Sequence, residues 1–339
     1  VKEKLINAGN IQNSGIEIAL NTTPIKKKQW QWDLNFTYTR NRNKIVELSP
    51  DVTSYINLDG AANYGNYRIA SVAKVGSDYG MLMSDSWIKT DEKTGKPVVG
   101  YTNKFRTVYY KRGGTVKEVG SMLPNFLGSL NSTLRWKDLS LYVLFDAHFG
   151  GYVASYNSRY ATAYGFSGET EKYRKGMTWT SKYTNAQDKV FTDGFIPDVV
   201  FDAGTIVTTP GGTNQDVSGM TYQEAYEKGY VEPAHLQSAA YFKNSWGTGV
   251  INDDWFKKIN YIALREITLS YNVPTKISSY IGAKNLSLSF TGRNLAYLLN
   301  TAPNHENPES VRGTGAAQFR MRSFMPYTAS YLFTLNATF

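Results

Sequence analysis

The sequence predicts an all-β fold, specifically a transmembrane antiparallel β-barrel with long extracellular loops. Apolar and polar residues alternate strictly over several segments, which is the pattern of strands with one apolar and one polar face. The connections between these segments alternate between tight turns and long loops. Aromatic residues make up 14% of the chain, yet the mean hydropathy is −0.40. Such a composition is expected when only every second residue of a strand faces lipid.

The first two strands are predicted at 12–22 and 29–41, with a tight turn between them. In the second of these, large apolar residues occupy one face without exception, and polar residues occupy the other. The apolar face consists of Trp30, Trp32, Leu34, Phe36 and Tyr38. We expect this face to contact lipid.

Seven further strands follow the same alternation more or less closely. They are predicted at 64–74, 79–89, 123–136, 138–150, 256–273, 284–296 and 323–339. The long connections between strands are 42–63, 90–122, 151–255 and 297–322. Loops of this length count against a compact soluble domain. In outer-membrane barrels, however, periplasmic turns are short and extracellular loops are long, so alternating lengths favour a barrel of that kind.

The last predicted strand places aromatic and aliphatic residues at alternate positions up to Phe339. These residues are Tyr327, Tyr331, Phe333, Leu335 and Phe339. An amphipathic strand that ends in Phe resembles the signal that the outer-membrane assembly machinery reads. We therefore predict that these residues form an assembly signal and that the strand ends in the periplasm.

The loop 151–255 is long enough to contain structure of its own. Thr221 and Glu224 have capping-box spacing, and Gly229 could end a helix. A short helix is therefore predicted between Thr221 and Gly229. The loop also carries aromatic residues that are candidates for contact with a substrate or a lid protein. These candidates are Trp179, Tyr183, Tyr241 and Trp246. The alternative is that their rings hold the loop together.

Composition and spacing give no sign of an enzyme, a metal site or a nucleic-acid-binding surface. The chain has no cysteine, and the formal charge of +9 comes from scattered basic residues. His148, His235 and His305 have no metal-ligand spacing. The neighbouring acids Asp253 and Asp254 would point to opposite faces of a strand, so they would not flank one scissile bond. We expect no cofactor, no metal, no catalytic residue and no nucleic-acid partner.

Several stretches resemble the SusC/RagA family of TonB-dependent transporters, in family order along nearly the whole chain. The segment from Tyr261 to Pro274, YIALREITLSYNVP, is similar to the family's Tyr-x-Arg-Leu-Arg-Asn-x-Thr-Leu-Ser-Tyr-x-x-Pro-like segment. Further resemblances lie at 12–18, 38–48, 291–295 and 335–339. The chain departs from the family pattern at Ala263, where Arg or Val is common, and at Asn307, which replaces an acid in an Asp-Pro-Glu motif.

The resemblance implies a barrel of about 22 strands with an N-terminal plug. Residues 1–339 would then supply about the last nine strands of the barrel, with the plug domain and earlier strands upstream. It also implies active import of oligosaccharides or oligopeptides across the cell outer membrane. The expected partners are a SusD-like surface lipoprotein, TonB acting through the plug, the rest of the same barrel, and membrane lipids.

Two other interpretations remain open from the sequence. A soluble all-β carbohydrate-binding module would make the Trp30–Tyr38 face a buried core. A non-transporting outer-membrane receptor or adhesin would share the barrel fold.

Overall fold

Most of the chain forms antiparallel strands. The computed structural model describes residues 9–52, 54–58, 69–104, 106–163, 166, 176–183, 186–234, 251, 256–312, 319–321 and 326–339. In chain order, the strands in these residues are β1 (Gly9–Lys26), β2 (Trp30–Leu48), β3 (Ile56–Asn57), β4 (Ile69–Ala73), β5 (Met81–Ser84), β6 (Val98–Thr102), β7 (Thr107–Tyr110), β8 (Lys117–Ser121), β9 (Pro124–Trp136), β10 (Leu139–Ser155), β11 (Met177–Thr180), β12 (Val190–Gly194), β13 (Val200–Phe201), β14 (Ile206–Thr208), β15 (Asn214–Asp216), β16 (Phe256–Val273), β17 (Asn285–Asn300), β18 (Val311–Arg312), β19 (Arg320–Met321) and β20 (Ser330–Thr338).

The helices are short. They are α1 (Tyr156–Ala163), α2 (Tyr222–Glu227) and α3 (Thr275–Ser278), with 3-10 turns at Ser279–Ile281 and Pro303–His305. No helix in the described residues is long and apolar enough to cross a membrane.

One large sheet, here called the wall sheet, contains seven strands on a continuous antiparallel path. Their order is β1-β2-β9-β10-β16-β17-β20, and the short strands β18 and β19 attach beside β10. Six of the seven correspond closely to predicted strands, and β16 has the predicted bounds, Phe256–Val273. The seventh, β20, is shorter than the predicted 323–339, of which 323–325 lie outside the described residues.

The strand register gives the wall sheet an apolar face and a polar face. Side chains that pair across antiparallel strands share a face, and a shift of one residue changes the face. One row crosses all seven strands with a large apolar residue in each: Ile25, Trp32, Leu134, Leu141, Leu269, Phe290 and Phe333. A neighbouring row, on the other face, is polar throughout: Lys26, Gln31, Arg135, Ser140, Ser270, Ser289 and Thr334. We call these the outer and inner faces, respectively.

Tight and long connections lie at opposite ends of the wall sheet, as the sequence predicted. Lys27 and Trp30 close the β1–β2 turn with hydrogen bonds of 2.7 and 3.3 Å. The β9–β10 turn places Lys137 at a φ of 50°, and the β16–β17 turn contains α3 and ends at Gly282, with a φ of 75°. The connections that leave β2, β10 and β17 at the other end are long.

The predicted wall strands 64–74 and 79–89 are not in the wall sheet, so this prediction is wrong. β2 pairs directly with β9, while β4 and β5 form a hairpin within a separate four-stranded sheet, β3-β4-β5-β8. Residues 64–68 lie outside the described residues. The burial explains the difference, because neighbouring residues such as Ser71 and Val72 are both fully buried. A strand covered on both faces has no face left for lipid.

The long connections after β2 and β10 share a second core, here called the loop domain. β13 pairs in parallel with β6, and β6 pairs antiparallel with β7. Residues from both connections therefore form one three-stranded sheet. Its buried core consists of Val99, Val108, Val199, Phe201, Val207, Val217, Tyr222, Ala225, Val231 and Ala234. The predicted helix is confirmed as α2, with a complete Thr221–Glu224 capping box and Gly229 at a φ of 71°.

Candidate functional site on the inner face

The inner face carries side chains that hydrogen-bond to one another across neighbouring strands. The hydroxyls of Thr268 and Thr291 lie 2.9 Å apart, and those of Ser270 and Ser289 lie 3.0 Å apart. Arg135 forms an ion pair with Asp33, which also accepts a hydrogen bond from Gln31. Such a surface offers donors and acceptors to water or to a polar solute, and it has none of the large apolar rows of the outer face.

A β-bulge turns two consecutive residues of β16 toward the inner side. Leu264 pairs with Phe145 and Glu266 with Leu144, so Arg265 is the extra residue between them. On the opposite neighbour, β17, the register shifts at the same place, where Asn294 adopts a φ of 51°. A bulge re-aims side chains in this way, and it lets Arg265 and Glu266 both reach inner-face partners.

Arg265 joins the wall sheet to the loop that follows β17. Its Nη2 lies 2.8 Å from the Asp146 carboxylate on β10 and 2.7 Å from Oε1 of Glu309 in the loop. Nη1 donates to the other Glu309 oxygen at 2.8 Å, so this pair is bidentate. Burial acts to raise the pKa of Glu309, but hydrogen bonds from Arg265 and Tyr297 outweigh it and hold the pKa below its usual value.

Asn307, one departure from the family pattern, keeps an acceptor in place. Its side-chain oxygen accepts from the Tyr297 hydroxyl at 3.0 Å and from the Glu309 backbone N–H at 3.1 Å. The neutral amide of Asn307 thus supplies the oxygen that accepts both hydrogen bonds. The other departure, Ala263, is fully buried in a small cluster with Val153 and Met321.

A cleft of about 370 Å³ lies beside the ion pairs that Arg265 forms with Asp146 and Glu309. Its lining includes His148, Val153, Ile259, Tyr261, Pro308 and Glu309. The His148 and Tyr261 rings stack with centroids 5.2 Å apart, and Tyr261 also lies 3.5 Å from Glu309 through its hydroxyl. The cleft thus combines ring faces with a carboxylate, which suits a polar ligand with apolar parts. Within the described residues, no group of His, Asp or Glu side chains could hold a metal ion.

The structure describes two of the four aromatic residues that were predicted to make contacts in the loop 151–255, namely Trp179 and Tyr183. Trp179 stacks on Phe191 at 4.7 Å and donates to Glu232 at 3.3 Å. Tyr183 is buried, lies under the Arg106 guanidinium, and its hydroxyl is 3.2 Å from that of Tyr101. The cavity between these rings is small, at about 30 Å³. Tyr241 and Trp246 lie outside the described residues. A direct contact of these rings with substrate or lid stays a prediction.

The predicted outer-face residues lie together on one face. Trp30, Trp32, Leu34, Phe36 and Tyr38 pair with residues of β9 on the apolar side, and no described part of the chain forms a second layer over them. The Trp30 ring stacks on Trp136 at 5.6 Å. A soluble module would bury this face, whereas Trp30 and Phe36 are 43% and 40% exposed among the described residues.

In the last strand, three of the five predicted residues share the outer face. Tyr331, Phe333 and Leu335 pair with outer-face residues of β17, and Phe339 is exposed. Tyr327 lies elsewhere, and its role in an assembly signal stays a prediction. Pairing with β17 begins only at Ser330, and the Tyr327 ring packs at 4.5 Å against Tyr297 on the inner side. The chain crosses over before it enters the sheet.

Sequence reasoning identified the segment around Arg265 by resemblance but missed what Arg265 does. Asp146 shows no signal beyond being one polar residue in an alternating strand, and it is 119 residues away in sequence. The Asn307–Glu309 motif gave no indication of its partner.

The chain shares its fold with solved structures to which its sequence identity is low. No protein-family model matches the sequence. No curated protein matches it either. Among solved structures, the chain is similar to one described as the RagAB peptide transporter, with a TM-score of 0.54 and 15% identity over 98% of this chain and 30% of that chain. It is also similar to the RagAB peptide importer in the 'closed-closed' state, with a TM-score of 0.56 and 16% identity. A third match, to the 'open-open' state, has a TM-score of 0.54 and 14% identity. The chain spans about 30% of the length of these chains, and it has the fold of part of a transmembrane antiparallel β-barrel.

Proposed function

We propose that this chain forms part of the wall of an outer-membrane barrel that imports oligopeptides or oligosaccharides by TonB-dependent active transport. The observation that carries the proposal is the two-faced wall sheet, with apolar rows across all seven strands on one side and polar rows on the other. Lipid outside and water inside is the environment that this arrangement fits.

The open edges of the wall sheet support a larger barrel. Among the described residues, β1 pairs only with β2, and β20 pairs only with β17. In a bilayer, each unpaired backbone group along such an edge costs several kcal/mol, so further strands must complete the wall. The share of the matched transporter chains that this chain spans agrees with that requirement.

The substrate class is proposed from the inner face and from the similar structures. The cleft beside Arg265 offers stacked rings and the Glu309 carboxylate, which suit the mixed polar and apolar surface of a peptide or a sugar chain. The similar structures are of a peptide transporter, so we place oligopeptides first. A SusD-like surface lipoprotein over the long-loop end and TonB acting through a plug are the proposed partners.

An uptake assay in cells tests the proposal. Strains with and without the chromosomal gene are given a labelled oligopeptide mixture or a labelled oligosaccharide mixture, each with and without a protonophore. We expect the deletion to abolish uptake of one class, and the protonophore to abolish the same uptake while surface binding persists. Equal uptake of both classes in the two strains would reject import. Binding that depends on the gene without uptake would instead indicate a receptor.

Fractionation tests the location and the partner separately. We expect the protein in the outer-membrane fraction, with faster gel migration before heating than after, as folded barrels show. A tagged form solubilised in mild detergent is expected to retain a surface lipoprotein. Recovery of the protein as a soluble monomer without detergent would exclude the barrel.

A further inference from the structure

The outer face changes character abruptly at the long-loop end of β2. From Trp30 to Tyr38 its outward residues are apolar, but the next three outward positions are Arg40, Arg42 and Lys44. The β1–β2 register has no irregularity between Ile11 and Thr22, so these three side chains stay on the face that Tyr38 occupies. Their partners across the pair are Ile16, Ser14 and Gln12, none of them acidic.

These three cations lie beside a cleft in the wall sheet. Pairing between β2 and β9 ends at Thr39 and Leu127, while β2 continues to Leu48. Farther along, the turn at Gly76–Ser77 hydrogen-bonds to the Ile45 backbone at 2.9 and 3.0 Å. Between the last β2–β9 pair and the contact with this turn lies a cleft of about 640 Å³. Its lining includes Tyr38, Arg40, Arg42, Lys44, Asp78 and Phe126.

Among the described residues, the lining of this cleft carries more positive than negative charge. The side chains of Arg40, Arg42 and Lys44 form no hydrogen bond or ion pair within the part of the chain that the structure describes. Asp78 is the one acidic residue of the lining, so three cations face one anion. Guanidinium groups at this spacing favour phosphate, because each can donate two parallel hydrogen bonds to phosphate oxygens.

Directly below the cations, aromatic rings line the outer face. The Tyr38 ring stacks on Phe126 at 5.4 Å, and Phe126 stacks on Phe149 at 4.7 Å. Aromatic rings at this height are typical of the boundary between hydrocarbon and headgroups. The cleft is therefore continuous with the lipid-facing surface and lies at headgroup level on the side of the long loops.

We propose that this cleft binds the phosphorylated headgroup of a glycolipid of the outer leaflet. The phosphate lies among Arg40, Arg42 and Lys44, and the acyl chains run down over Tyr38 and Phe126. Apolar rings below and uncompensated cations above match an amphiphile with an anionic head, rather than a free anion or a soluble protein. The inference rests on the proposed function, because it requires the outer face to contact lipid.

The test uses the full-length protein purified from outer membranes in mild detergent. The triple variant Arg40→Gln, Arg42→Gln, Lys44→Gln is compared with wild type and with a control that loses the same charge at the tight-turn end, Lys26→Gln, Lys27→Gln, Lys28→Gln. Binding is measured by native mass spectrometry, with a phosphorylated glycolipid and with the same glycolipid after phosphatase treatment.

We expect the triple variant to bind the phosphorylated glycolipid on the order of 100-fold more weakly, from about fivefold for each basic residue, and the control to bind as wild type. Removal of the phosphate should weaken wild-type binding similarly, and inorganic phosphate should not compete at equal concentration. Equal binding by the triple variant, equal loss in the control, or displacement by inorganic phosphate would each overturn the inference.

Fractionation separates this inference from the proposed function. If the protein is absent from the outer membrane, both fall. If wild type and triple variant insert equally but bind the glycolipid equally, only the headgroup site is rejected.

Discussion

At the residue scale, Arg265 is the side chain on which the loop after β17 depends. It is one cation between two carboxylates, Asp146 on the wall sheet and Glu309 in the loop. Removing it leaves two half-buried carboxylates with reduced pairing and removes the ion pair between β16 and the loop. Lysine keeps the charge but cannot make the bidentate contact to Glu309 while it also reaches Asp146.

We therefore predict that Arg265→Ala lowers the free energy of opening of residues 301–312 by about 2 kcal/mol, the loss expected for charged hydrogen bonds. Arg265→Lys should recover part of this loss. Hydrogen exchange of the full-length protein measures the opening. Arg293→Ala is the matched control, because Arg293 pairs with Glu266 on the same face and does not contact the loop. An equal effect of the two alanine variants would contradict the assignment.

Glu306, in the same loop, is a group through which we expect the stability of the loop to depend on pH. It is 6% exposed, and its nearest donors, Ser155 and Asn157, are both at 3.4 Å. Burial raises the pKa of Glu306 above the usual 4.5, and the weak hydrogen bonds lower it only partly. Between the unfolded and folded pKa values the folded loop binds more protons, so its stability falls as the pH rises through the folded pKa.

The expected result is greater protection of residues 301–312 at about pH 5 than at about pH 8, after correction for intrinsic exchange rates. Glu306→Gln keeps the shape and an acceptor but removes the charge. It should abolish this difference and increase protection at the higher pH. Glu309 does not confuse the comparison, because its pKa is held below 4.5 and it stays ionised at both pH values. A variant with the wild-type pH dependence would show that another group is responsible.

At the element scale, sequence periodicity predicts which way a strand's residues face, but it does not predict which strand lies beside it. The alternation from Trp30 to Tyr38 was enough to predict β2, since lipid and water impose opposite demands on its two faces. The hairpin at Val75–Asp78 was also predictable. Its place was not, because β4 and β5 are covered on both faces, and β8, the partner of β5, is distant in sequence.

The ion pairs of Arg265 with Asp146 and Glu309 were unpredictable for a related reason. Arg265 turns inward only because of a bulge, and a bulge leaves no mark on the alternation that could be distinguished from noise. The capping box of α2 was predictable because all of its interactions lie within four residues.

Two neighbouring positions in β2 test the assignment of faces. Leu34 lies on the outer face midway between Trp30 and Tyr38, and Asn35 lies next to it on the inner face. We predict that Leu34→Lys destabilises the folded barrel by about 2–4 kcal/mol, the cost of a lysine at the bilayer midplane. Asn35→Lys should have little effect, because its ammonium group enters water. The measurement is the fraction of heat-modifiable protein across a urea series, and a larger loss in Asn35→Lys would reverse the two faces.

At the scale of the whole molecule, the wall sheet and the loop domain are stabilised by different forces. The wall sheet exposes its apolar rows and depends on strand pairing and surrounding lipid. The loop domain buries an apolar core of its own, fixed at its rim by Asp202, which pairs with Lys89 at 2.8 Å and with Lys111 at 3.6 Å. The two parts should therefore fail separately when one is weakened.

Phe201→Ala tests this independence. Phe201 is almost fully buried, stacks on Tyr222 at 5.6 Å, and belongs to the strand that joins the two long connections. Its truncation should cost the loop domain about 3–5 kcal/mol through lost burial and a cavity. Because both connections share this core, protease added to intact cells should cut within 98–110 as well as within 195–234, while the barrel keeps its heat-modifiable migration.

Ile206→Ala is the control for this experiment, because Ile206 is 44% exposed and lies in the same part of the loop domain. It should leave protease resistance unchanged. Cleavage confined to 195–234 in Phe201→Ala would show that the first connection folds without the second. Loss of the heat-modifiable form would show that the wall needs the loop domain in order to assemble. If the barrel stays intact while uptake falls, the loop domain contributes to capture of substrate rather than to the stability of the channel beneath it.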